Sequence, residues 1–305
     1  MTTRATGIAL AFVTAVISGV SIYLNGHAVR HFGDATVYTT AKNAVAGTLL
    51  LVLALTAGRS PTTTTKTVTR PSTRRQWLAL TVVAVIGGSV PFVLFFEGLA
   101  RAEATQAAFI QKTLVVWVAL LAVPLLRERF QVPHALGIVL LVLGQAWLIG
   151  HAGTIAFGTG EAMILAATLL WAAEVVFVKH LLATLAPRTL AAARMGIGTV
   201  LLVGWVAASG KAGQLVGLGA EQWRWVLLTG LLLTAYVATW YAALARAQAV
   251  DVTAVLVFGA VITALLSGVA DGTPINAIGT IFVAAGAALV VTAALRRPGV
   301  EPAAA

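Results

Sequence analysis

Six polar side chains stand in stretches that are otherwise apolar: Lys42, Glu97, Gln111, Lys112, Glu174 and Arg194. An ionisable group near the centre of a bilayer helix costs about 2.5–3.5 kcal/mol on insertion scales, so each is a functional candidate by default. Their chemistry is recognition rather than bond making: cations hold carboxylates or phosphates, and carboxylates hold ammonium groups or carry a coupling proton. At the helical rise, Lys112 lies about 12 Å and Lys42 about 11 Å below the outer end of its helix. The tight turn Ala100–Glu103 places Glu97 within ion-pairing reach of Lys112. The two read equally as a structural pair or as part of a site. Gln111 points about 100° away from Lys112, so both cannot face one cavity centre. Glu174 and Arg194 have compatible depths on the cytoplasmic side, and Glu174 is the best single candidate for a cavity acid. Lys42 and Arg194 read as anchors that snorkel to an interface or as substrate contacts. Trp171 shares the face of Glu174, and Tyr236 shares that of Trp240 four residues on. These rings, with Tyr23, either stack on a planar or cationic substrate or simply pack.

Other chemistries lack their residues. There is no phosphate-cradling G-x-x-x-x-G-K-[ST], no H-E-x-x-H and no G-x-S-x-G. His27, His31, His134, His151 and His180 fall at helix ends or in loops on both sides of the membrane, so no metal site is expected. There are no cysteines, which removes thiol chemistry. Neither an enzyme nor a cofactor is expected. A channel would need a ring of carbonyls or charges, and none is legible.

The elements that position these residues follow from composition. The chain of 305 residues is 59% hydrophobic and 10% charged, with mean hydropathy +0.95. A soluble chain carries about 25% charged residues. Ten apolar runs reach bilayer length, at about 7–24, 35–57, 77–99, 104–126, 132–150, 161–182, 189–209, 225–247, 251–270 and 275–295. Period-two alternation is absent, so the fold class is an all-α integral membrane bundle. The first run is expected to be a span and not a cleaved leader, because the repeat described below needs it.

The net charge of +10 does not point to nucleic acid. The basic residues lie in short segments between spans, where they set orientation. With the N-terminus inside, only Arg30, Arg101, Lys211 and Arg224 face outward, and thirteen basic residues face inward. Both termini are therefore expected in the cytoplasm, with Trp223 and Trp225 at the outer headgroup belt. The Thr- and Arg-rich loop 58–76 is expected to lie disordered against anionic lipid.

The chain repeats itself. "LARAEATQAA" (99–108) matches "LARAQAVDVT" (244–253), "AKNAVAGTLLL" (41–51) matches "ARMGIGTVLLV" (193–203), and "ALGIVLLVLG" (135–144) matches "AIGTIFVAAG" (277–286). The second match pairs Lys42 with Arg194. The third pairs Gly137 with Gly279 and Gly144 with Gly286. The halves are 1–150 and 151–296, followed by a disordered tail 297–305. Five spans is an odd number, so the halves are inverted, as in secondary transporters that bind substrate between repeats.

With these motifs, and with "RERFQVPHALG" (127–137), the sequence resembles the ten-helix EamA-type branch of the drug/metabolite transporter superfamily over about residues 7–295. Glu128, Pro133 and Gly137 resemble its signature after the fourth helix. The second half keeps Pro274 and Gly279, with Asp271 near the Glu position. The family's prolines within the fourth and ninth helices are missing at "QKTLVVW" and "VFGAVIT". The resemblance implies a metabolite transporter, often an exporter, with a cavity lined by the first, third, fourth, sixth, eighth and ninth helices. The fifth and tenth helices would then pack at the periphery through their glycines. Pro91, with Gly87 and Gly88, should loosen the third helix. The expected substrate is a small metabolite such as an amino acid; a cationic drug held by Glu97, Glu174 and the aromatics is the alternative. Membrane lipids and a proton or substrate counter-gradient are the other expected partners. Oligomeric state is not legible.

Overall fold

The computed structural model describes residues 3–57, 70–102, 104–128, 130–148, 157–272 and 275–296. Most of the loop 58–76, Glu103, Arg129, His151, Pro274 and the tail 297–305 lie outside the described residues. Helices in order are α1 (Thr3–Ala28), α2 (Ala35–Ala57), α3 (Arg74–Val83), α4 (Val90–Leu99), α5 (Ala104–Lys112), α6 (Leu114–Leu126), α7 (Val132–Leu148), α8 (Thr159–Leu181), α9 (Pro187–Ala208), α10 (Ala212–Val216), α11 (Ala220–Leu244), α12 (Ala249–Leu256), α13 (Gly259–Asp271) and α14 (Ala277–Arg296). Among the described residues, nine helical stretches are long and apolar enough to cross a membrane, and Val132–Trp147 is a shorter tenth.

Sequence signals set the helix ends. Thr73 accepts the Gln76 amide and starts α3. Glu161 accepts the Gly158 amide at the start of α8, and Gln222 accepts that of Gly219 before α11. This last cap starts the eighth span about five residues before the hydropathy edge at 225. Pro187 opens α9, where its missing N–H costs nothing.

Three spans are not simple helices. The third contains a π-helical turn, Ala84–Ser89, between α3 and α4. This is the loosening expected from Gly87, Gly88 and Pro91. Pro91 cannot donate to the carbonyl of Gly87, which instead accepts the Trp171 indole N–H at 3.1 Å. The fourth span, expected to run unbroken, tightens at Thr113, whose N–H bonds Ile110 as well as Phe109. The ninth tightens at Val257 and Phe258, which bond three residues back to Ala254 and Val255. These are short 3₁₀ turns inside α-helices, a usual mark of hinges. They fall within "QKTLVVW" and "VFGAVIT", so the chain breaks these helices without proline.

Inverted pairs make the bundle. α7 crosses α14, α2 crosses α9, α1 packs on α11, and α4 packs on α8. Each pairing maps onto itself or onto another when the halves are exchanged. At the α7–α14 crossing, a Cβ on Gly137 would meet the Gly286 carbonyl at 3.0 Å, and one on Gly286 would meet that of Gly137 at 2.7 Å. The glycines of the fifth and tenth spans therefore serve backbone contact, as expected. Below, the face carrying the chain termini is the termini face, and the other is the far face.

Candidate functional site

A cavity of about 130 Å³ lies between the repeats. Its wall runs from Trp240, Tyr236 and Glu174 toward Ser18, Ser21 and Asn25, nearer the far face. Lys42, Arg194, Gln111, Ile22, Leu114, Val175, Leu233 and the rings of Phe92, Phe95, Phe96 and Trp171 complete it. The second and seventh spans are not among the lining helices that the resemblance implied, yet they supply both cations, Lys42 and Arg194, in the substrate-contact position that was one of their two readings. Conversely, the described part of the ninth span lines none of the cavity. α2 packs on α9, and from these two helices Lys42 and Arg194 line the cavity.

The charges are unequal. The Glu174 carboxylate is 1% exposed, accepts the Tyr241 hydroxyl, and lies 3.6 Å from the Arg194 Nε. That spacing is an ion pair but not a hydrogen bond. Arg194 Nε and Nη1 have no hydrogen-bond partner, and the guanidinium sits 5.9 Å from the Phe92 and Tyr241 ring centres. Lys42 Nζ donates to Asn25 Oδ1 at 3.1 Å and lies 4.2 Å from the Phe96 ring centre. Among the described residues no carboxylate lies within ion-pair distance of it. Two cations thus face one carboxylate, and buried donors remain unused. The Gln111 Oε1, also unused, adds an acceptor.

Of the sequence candidates, the structure brings Lys42, Glu174, Arg194, Trp171, Tyr236 and Trp240 to one cavity. Tyr236 and Trp240 stack with centroids 6.0 Å apart. Three candidates lie elsewhere. Glu97 accepts Thr36 Oγ1 at 2.7 Å and pairs with Arg101 at 2.6 Å, so the Glu97–Lys112 pair does not form. Arg101 is one turn away from Glu97, whereas Lys112 faces α7 on the opposite side of its helix. The Lys112 Nζ is buried without a hydrogen-bond partner beside Gln145, outside the cavity. Gln111 takes the inward position instead, as the 100° rotation requires. Tyr23 donates to Asp271 at the far face. Asn25 and the Phe92–Phe96 rings were missed. Their signal was present in the stripe Ser18, Ser21, Asn25 along one face of α1.

Residues 5–150 and 158–292 match the EamA-like transporter family. The chain belongs to this family. It is similar to an uncharacterized transporter of Methanothermobacter thermautotrophicus, 32% identical over 35% of this chain and 33% of that protein. It is also similar to an uncharacterized transporter of Archaeoglobus fulgidus, 29% identical over 58% of this chain and 62% of the relative. The chain thus spans a third to three-fifths of these two relatives. A solved crystal structure superposes with TM-score 0.74 over 96% of this chain and 100% of that chain at 16% identity, a likeness of fold. The chain is a multi-pass membrane protein of the EamA-like transporter family, built from two inverted repeats.

Proposed function

We propose that this EamA-family protein moves a small metabolite bearing a carboxylate, such as an amino acid, by rocking one repeat against the other around the central cavity. The observation that carries this reading is the imbalance of charge: Lys42 and the unused Arg194 donors against the single carboxylate of Glu174. A zwitterion sets its carboxylate on the cations and its ammonium near Glu174, against aromatic walls. Export from the cytoplasm across the cell membrane, with both termini inside, fits the excess of Lys and Arg on the termini face. Glu174 is the candidate to carry a coupling proton. A second reading, export of organic cations, draws on the six rings around the cavity. It must overcome two resident positive charges.

Proteoliposomes screened with amino acids, organic acids and lipophilic cations decide between the two. Exchange of a carboxylate solute, lost in Lys42→Met, supports the first reading; exchange of cations alone sinks it. If Glu174→Gln leaves both rate and pH dependence of transport unchanged, Glu174 carries no coupling proton.

A further inference from the structure

The two faces of the molecule are closed by unequal means. On the termini face, both carboxylate oxygens of Glu128, between α6 and α7, accept the amides of Ala249 at 2.7 Å and Val250 at 3.1 Å. These are the first amides of α12, so one repeat caps a half-helix of the other. Lys179, at the end of α8, donates to the carbonyls of Leu244 and Ala247, each at 2.7 Å. The turn between α11 and α12 is thus held by its amides and by its carbonyls at once. Two residues on, Asp251 joins Arg4 at 3.1 Å and His134 at 3.2 Å, and the Asp251 and His134 side chains are 0% exposed.

Among the described residues, the far face shows no such arrangement. Gly7 meets the backbone of Ala247 as Gly160 meets that of Ala102, which fixes the register between α1 and α8. In that register the counterpart of Lys179 is Gly26, which has open space where a side chain would start. Near the position of Glu128 the second repeat has Asp271, which accepts the Tyr23 hydroxyl and lies 3.7 Å from His27, and no described helix-start amide donates to it. Among the described residues, the ion pairs that bridge the repeats on the far face are Asp34–Lys211, His31–Glu221 and His27–Asp271, with side chains 16–69% exposed. Water competes for those, whereas Glu128, His134 and Asp251 on the termini face are buried, with Arg4 22% exposed and Lys179 partly buried.

We propose that Glu128 and Lys179 clamp the α11–α12 turn and so hold the termini face shut, acting as positioning residues for transport. The proposal rests on the rocking mechanism above. Opening that face requires two amides and two carbonyls to lose charged partners together, which biases the resting protein toward access from the far face.

The absence of cysteine makes a direct test available. Ser18→Cys places one thiol in the cavity wall, and a membrane-impermeant maleimide is applied to vesicles of each orientation. Cys labelling in this parent is expected chiefly from the far face. Glu128→Gln and Lys179→Gln should each raise labelling from the termini face by about tenfold, while Glu128→Asp, which keeps the carboxylate, stays within about twofold of the parent. Unchanged sidedness in variants that elute as folded monodisperse protein overturns the clamp, as does failure of both Gln variants to fold. Suppose Asp251→Asn opens the termini face and the clamp variants do not: the clamp is then wrong while rocking stands. If no variant, Asp251→Asn included, exposes the thiol to that face, rocking itself is wrong.

Discussion

Lys42 shows how one residue separates two roles. As an anchor it would stabilise the bundle, and its removal would lower the melting temperature. In the structure it is 3% exposed with a neutral amide as its hydrogen-bond partner, so it costs desolvation without an ion pair in return. Lys42→Met is therefore expected to leave the melting temperature in detergent unchanged or raised, while the affinity for a carboxylate substrate falls by about tenfold or more. Thermal shift with and without substrate reads both. Asp34 offers a pH test outside the spans. Partial burial pushes its carboxyl up, but the Lys211 ammonium and the amides of Val37 and Thr36 outweigh this and hold it below the usual range. A carboxyl lowered by folding adds stability above its unfolded value and loses it as pH falls through the folded one. Acidification below about pH 4 should therefore release the Asp34–Lys211 bridge, and Asp34→Asn should flatten the stability profile there. The effect is small, about 0.2–1 kcal/mol, because the pair is partly exposed.

At the level of elements, the third span is the one most altered by its sequence. The π-helical turn, the Pro91 ring and the Trp171 indole form one unit, because the indole replaces the donor that proline lacks. Trp171→Phe leaves the Gly87 carbonyl buried without that donor. It should cost about 1–3 kcal/mol in chemical denaturation, more than the loss of ring area alone would. Gly88 passes so close to α9 that a Cβ would stand 2.1 Å from the Arg194 carbonyl oxygen. Neither atom belongs to a flexible side chain, so Gly88→Ala must push α9 away and carry Arg194 out of the cavity. Transport should fall further than stability does, which assays of both on the same preparation will show. The 3₁₀ turns at Thr113 and at Val257–Phe258 lie at matching places in the two repeats. Thr113 holds its turn with its own hydroxyl, which bonds Ile110 and accepts the Trp117 indole. Sequence inspection, looking for proline there, sees nothing.

For the whole molecule, the crossing of α7 and α14 joins the repeats through backbone contact. A Cβ on Gly144 would lie 2.9 Å from the Gly279 carbonyl and 2.7 Å from the Val283 amide nitrogen. Gly144→Ala is expected to cost about 1–3 kcal/mol, as overpacking does, with no change in substrate preference. Thermal unfolding beside a competition assay checks both halves of that statement. The sequence by itself determined the solvent of the chain, the spans, the inverted repeat and the family, because each depends on residue type and order along the helix. It also determined that Glu174 and Arg194 have compatible depths, because depth follows from the rise per residue, while their 3.6 Å approach is a matter of tertiary structure. It did not determine rotation about the helix axis, which depends on what each face meets. Glu97 therefore went to Arg101 and Thr36, Gln111 turned inward in place of Lys112, and Lys42 took the cavity position rather than the interface, the choice its sequence left open. The grip of Glu128 and Lys179 on the α11–α12 turn was likewise decided only by the tertiary structure, since it joins residues 65 to 122 positions apart whose partners are backbone atoms that carry no mark in the sequence.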